Sequence, residues 1–132
     1  MNLLDCIFVI MIRFFKSLSF AIQGITFLLR FEKNAKIQTT IAILTIALGF
    51  WLKISNYEWI ICIIGIGIVL GAEAFNTAIE NLCNLTEPNP NPKIKTIKDL
   101  SASAVLIVSM SVAFAGIIIF LPKFLFKLGL LN

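Results

Sequence analysis

The sequence predicts an all-α integral membrane protein, with an amphipathic helix on the membrane surface followed by three transmembrane helices. Composition is the first reason. Of 132 residues, 59% are hydrophobic and only 14% charged, against about half and about a quarter in soluble domains. A chain this short buries roughly 60–70% of its unfolded surface, so a bilayer is the natural place for the excess. The second reason is that three apolar runs approach the roughly 20 residues a span requires. The third is that the basic residues gather in the segments between those runs. One domain, residues 1–132, accounts for the whole sequence.

Residues 1–34 form the surface segment. From Asn2 to Ile12 the chain is apolar apart from Asp5, with no basic leader and no small-residue cleavage site. It fits a membrane-dipping start better than a signal peptide. From Arg13 to Arg30, basic residues and Gln23 interrupt Phe, Leu and Ile, as in a helix lying in the interface. The first span is expected over 35–55, the second over 57–84 and the third over 97–121. Between the last two lies TEPNPNPK, whose prolines place it in an exposed loop. Pro122 is expected to close the third span.

Eight basic residues (Arg13, Lys16, Arg30, Lys33, Lys36, Lys93, Lys95, Lys98) fall on one side of this arrangement, and Lys53, Lys123 and Lys127 on the other. The positive-inside rule puts the N-terminal half and the 85–99 loop in the cytoplasm. Trp51, Tyr57 and Trp59 bracket the short outer turn. A formal charge of +4 then reflects topology. No basic run with interleaved aromatics points to nucleic acid.

The absence of histidine removes Ser-His-Asp and Cys-His chemistry and histidine metal sites. Any general base is a carboxylate or a lysine. Cys6, Cys62 and Cys83 are odd in number, lack CxxC spacing and lie in apolar sequence, so they read as small buried residues. No Walker P-loop or kinase glycine loop is present. Gly65, Gly67 and Gly71 are expected to serve close packing instead.

The second span carries Glu73, Asn76, Thr77, Glu80 and Asn84. Their offsets of 0, 3, 4, 7 and 11 align them on one helix face. A carboxylate in a bilayer costs at least about 2.5–3.5 kcal/mol, so the stripe must face protein or a water-filled pocket. Glu32 precedes the first span, and Lys98 and Asp99 begin the third. Glu32, Glu80, Lys98 and Asp99 thus meet at one membrane surface, with Glu73 and Asn76 reaching inward. Surface carboxylates can hold Mg²⁺ together with substrate phosphates, and a lysine can meet phosphate. The set reads as a place where a soluble phosphate donor meets an acceptor in the membrane. Polar contacts between packed helices, or a proton-coupled transporter built on Glu73, are the alternatives.

The run AEAFNTAIENLCN, followed by KTIKDLSASAV, resembles the signature of the prokaryotic diacylglycerol kinase and undecaprenol kinase family, as do FEKNAKIQ and the Gly24 region. The resemblance extends from about Arg13 to the third span. It implies an ATP- and Mg²⁺-dependent lipid kinase of the bacterial inner membrane, a homotrimer with shared active sites. By motif position, Glu73 resembles the general base at the lipid hydroxyl, and Glu32 and Glu80 resemble the Mg²⁺ ligands. Phe20, Asn76, Asn84, Asn89, Asn91, Lys98 and Asp99 fall on the nucleotide side, and Arg13 near nucleotide and lipid headgroup. Asn84 departs from the aspartate usual there, and Asn91 from a frequent histidine. The acceptor is diacylglycerol or undecaprenol, and FEKN leans towards the undecaprenol branch.

Overall fold

A computed structural model describes residues 3–130, in four helices: α1 (Leu3–Phe31), α2 (Lys33–Leu52), α3 (Asn56–Thr86) and α4 (Pro92–Lys127). Each is long and apolar enough to cross a membrane. That includes α1, because no glycine-proline break separates its apolar start from its mixed second half. Lys16, Ser19, Gln23, Thr26 and Arg30 recur along α1 every three or four residues, which lines them up on one face. Phe14, Phe15, Phe20 and Phe27 lie exposed beside that polar line.

Glu32 interrupts α1 and α2 for a single residue, with φ −90° and ψ 122° at the N-cap of α2. At the other end of α2, Lys53 takes the left-handed conformation (φ 53°), which turns the chain sharply into α3. Ser55 and Glu58 then form a reciprocal capping box, satisfying donors that the first turn of a helix leaves without partners. The motif S-x-x-E is a sequence-level start signal for α3.

The Pro-rich connection is shorter than the sequence suggests. Pro92 is the first residue of α4, with Asn91 as its cap accepting from the Lys93 amide at 3.0 Å. Proline suits that position because its missing N–H is not needed there. Pro122 does not close the helix: α4 continues through it to Lys127. One lost backbone bond is tolerated where the flanking turns are held by other contacts. Here Lys123 pairs with Glu58 at 3.2 Å, and Lys127 donates to the Trp51 carbonyl at 2.8 Å.

Helices α3 and α4 pack most extensively and α1 packs least. The register is antiparallel: Glu58 meets Lys123, Gly65 meets Val112, Asn76 meets Ser101, and Asn84 meets Lys98. Gly65 explains the closeness of the crossing, because a Cβ there would come within 2.9 Å of Val112 Cγ1. Gly49 plays the same part for α2, where a Cβ would lie 2.9 Å from the Trp59 ring. Gly67 and Gly71 face open space, so packing inside the chain accounts for Gly65 alone of the three. A small apolar core of Leu52, Ile54, Cys62 and Ile119, with Leu48, Trp59 and Phe120 against it, sits at the α2–α3 turn. Elsewhere large apolar side chains point outward, as expected when lipid is the solvent.

Candidate active site

At the opposite end of the bundle from that core, the same three helices converge on polar side chains. Glu73 is 1% exposed, the largest fully buried side chain among the described residues. An unpaired charge in such a place is costly, so its partners matter. Its Oε2 accepts from Gln38 Nε2 at 3.3 Å. Gln38 comes from α2, on the second turn after Glu32.

Asn76, one turn further along α3, is 6% exposed and links two helices. Its Nδ2 donates to Glu80 Oε1 at 3.0 Å, and its Oδ1 accepts from the Ser101 hydroxyl of α4 at 2.6 Å. Thr77 is buried beside it. An amide is the right group here, since it can donate to the carboxylate while accepting from a hydroxyl. The stripe of Glu73, Asn76, Thr77 and Glu80 therefore faces the interior of the bundle, and its neighbours fix the side-chain orientations.

Further out, Lys98 Nζ donates to Asn84 Oδ1 at 2.6 Å. Asn84 thus joins Lys98 across α3 and α4 without neutralising it. Asp99 instead pairs with Lys95 of its own helix at 2.6 Å, both side chains exposed. Lys98 and Asp99 are neighbours in sequence but point to different partners. Asn89 donates its backbone amide to Glu87 at 3.2 Å in the connecting loop, and Asn91 serves as the α4 cap. Arg13 and Phe20 lie exposed on α1.

Glu32 is half-buried and its side chain makes no capping hydrogen bond. No three acidic or thiol side chains among the described residues converge as a ready-made metal site. Two carboxylates with substrate phosphates suffice for Mg²⁺, which keeps several waters and demands oxygen ligands. Glu32 and Glu80 meet that requirement in chemistry, both being half-buried carboxylates.

Sequence reasoning named neither Gln38 nor Ser101 as a site residue. Gln38 gave little signal: it is an uncharged side chain beside Lys36, Thr39 and Thr40, and its partner lies 35 positions away on α3. Ser101 reads as a small residue for helix contact, and only the antiparallel register shows what it meets.

An apolar groove of about 1170 Å³ runs along α2, α3 and α4 from Phe124 to Gln38. Its walls include Ile41, Leu48, Ile68, Val112 and Ile117. Gln38, the partner of buried Glu73, lines one end of that groove. Glu80 and Lys98 are held further along by Asn76 and Asn84, and no hydrogen bond or ion pair among the described residues joins Glu32 to Glu80, Lys98 or Asp99. Residues 19–120 match the family described as prokaryotic diacylglycerol kinase. The chain belongs to that family. It is a lipid kinase, with an alcohol group as acceptor, built into the membrane by apolar helices. The kinase is also similar to an undecaprenol kinase of Bacillus subtilis (strain 168), 36% identical over 111 residues, which cover 84% of this chain and 90% of that protein. No solved structure matches it. Family membership implies ATP as phosphoryl donor.

Proposed function

We propose that the kinase transfers the γ-phosphoryl group of Mg·ATP to undecaprenol at the cytoplasmic face of the bacterial inner membrane. The observation that carries this reading is the burial of Glu73 beside a long apolar groove. Gln38 lines the end of the groove and holds the Glu73 carboxylate behind it, where the head of a chain-like alcohol would arrive and a soluble substrate has little reason to lie. The similarity to an undecaprenol kinase over most of both chains supports that acceptor over diacylglycerol.

Depth divides the labour. Measured from Asn56, Glu73 lies about 26 Å along α3 and Glu80 about 36 Å. A hydrocarbon layer about 30 Å thick that starts at the tryptophan end therefore stops between them. Glu73 meets the lipid hydroxyl and takes its proton, as the oxygen attacks the phosphorus and ADP leaves. Glu32 and Glu80 are the residues to hold Mg²⁺, which when bound neutralises phosphate charge. Lys98 provides a cation that Asn84 orients without neutralising. Asn76 couples the two levels, through Glu80 below and Ser101 across. Arg13, Phe20, Asn84, Asn89, Asn91 and Asp99 complete the nucleotide side, with Arg13 also near the lipid headgroup.

The polar line of α1 supports a position along the cytoplasmic interface, phenylalanines in lipid and Lys16 and Arg30 towards water. Self-association, with a trimer as the expected state, is supported by the face of α3 opposite Glu73. There Phe75, Leu82 and Leu85 are exposed, and Gly71 and Ala78 fall into the same alternation of three and four residues. That is the spacing of a helix–helix seam.

The deciding experiment is an assay of purified protein in detergent with Mg·ATP and a panel of lipid alcohols. Phosphorylated undecaprenol at a rate well above diacylglycerol is the expected result. Preference for diacylglycerol overturns the acceptor, and no phosphorylated lipid from any alcohol overturns the reading.

A further inference from the structure

We propose that Gln38 is a positioning residue for Glu73, an inference that rests on the role of Glu73 as the base in the reading above. Among the described residues, the Gln38 amide is the one hydrogen-bond partner of the Glu73 carboxylate. It arrives from a different helix, so the bond fixes Glu73 relative to α2 as well as to its own backbone. With Oε2 held by Gln38, Oε1 is the oxygen left to receive the hydroxyl proton.

The second observation concerns the other end of the same amide. Gln38 Oε1 is buried and has no hydrogen-bond partner. Leaving such an acceptor unmet has a cost that an aliphatic residue at this site would avoid. A helix pair held together by packing alone is better served by leucine or methionine. The glutamine is explained by what its N–H does for Glu73. Its place at the end of the apolar groove puts that effect where the acceptor hydroxyl must sit.

Small displacements of a base have large kinetic consequences, of order 10²-fold for about 1 Å. Gln38→Met keeps the length and apolar stem but cannot donate. Gln38→His keeps an N–H within similar reach. With wild type and Glu73→Gln assayed alongside, Gln38→Met is expected to lower kcat about 10–100-fold, with KM for lipid and for Mg·ATP within about twofold of wild type. Gln38→His is expected to recover most of that loss. Gel filtration in detergent checks that the variants assemble as wild type does. Unchanged kcat in Gln38→Met, a loss confined to the lipid KM, or no recovery in Gln38→His overturns the positioning role. Activity in wild type and its absence in Glu73→Gln sustain the kinase reading whichever way Gln38 behaves. Wild type inactive on every lipid alcohol removes both.

Discussion

Glu73 and Asn76 sit one turn apart on the same helix, yet their surroundings assign them different work. Glu73 has a single amide partner, so one carboxylate oxygen is uncommitted. Asn76 is tied at both ends, to Glu80 and Ser101, so its amide is held in one orientation between two helices. Glu73→Gln keeps the shape and removes the proton acceptor. We expect turnover to fall by at least about 10²–10⁴-fold while nucleotide binding, followed by calorimetry in detergent, changes little. Ser101→Ala leaves Asn76 Oδ1 buried without its donor. A loss of about 1–3 kcal/mol in stability is expected, seen as a lower midpoint on thermal unfolding in detergent. The stripe from Glu73 to Asn84 was legible in the sequence because charge at membrane depth is rare and helical spacing aligns it. Gln38 was not, because a lone glutamine carries no charge to draw notice and its partner is 35 positions away.

At the scale of elements, the α3–α4 contact depends on Gly65. Gly65→Val forces branched carbons against Val112, whose Cγ1 would already stand 2.9 Å from a Cβ. Overpacking of this kind costs about 1–3 kcal/mol, and Val112→Ala in the same molecule is expected to restore most of it. Gly67→Ala is the control: nothing lies within 4 Å of its Cβ, and alanine is the better helix former by up to about 1 kcal/mol. Thermal unfolding of the three variants in detergent measures both effects. Helix identity was readable from apolar run length for α2, α3 and α4. The ends were not. Proline looks like a stop signal in both places, but Pro92 opens α4 and Pro122 lies inside it. A proline is judged by which backbone donors its neighbours need, and that depends on the cap at Asn91 and the contacts of Lys123 and Lys127. The N-terminal segment was the least legible element. It reads as one surface segment with a membrane-dipping start, and the continuous helix Leu3–Phe31 is also long and apolar enough to cross a membrane.

At the scale of the molecule, the single chain leaves much of its apolar surface uncovered, and two solvents compete to cover it. Lipid suits most of that surface. The seam along α3 differs, since small Gly71 and Ala78 alternate with large side chains in a way that admits another helix. Ala78→Lys puts a charge into that seam without touching Glu73, Asn76 or Glu80. It is expected to shift the protein to a smaller species in light scattering coupled to gel filtration. Activity is expected to fall with it if sites are shared between subunits. An unchanged mass would place the assembly contact elsewhere.

Both tryptophans of the protein, Trp51 and Trp59, lie at one end of the bundle, away from Glu73 and Glu80. Trp59 packs on Phe50, with centroids 4.8 Å apart, and Lys127 stands 4.4 Å above the Trp51 ring. Intrinsic fluorescence of this kinase is therefore a one-sided optical probe. Brominated lipids carrying the quencher near the headgroup of the outer leaflet should dim it most. Addition of nucleotide should leave it nearly silent, unless the chemistry at one face is relayed through the bilayer to the other.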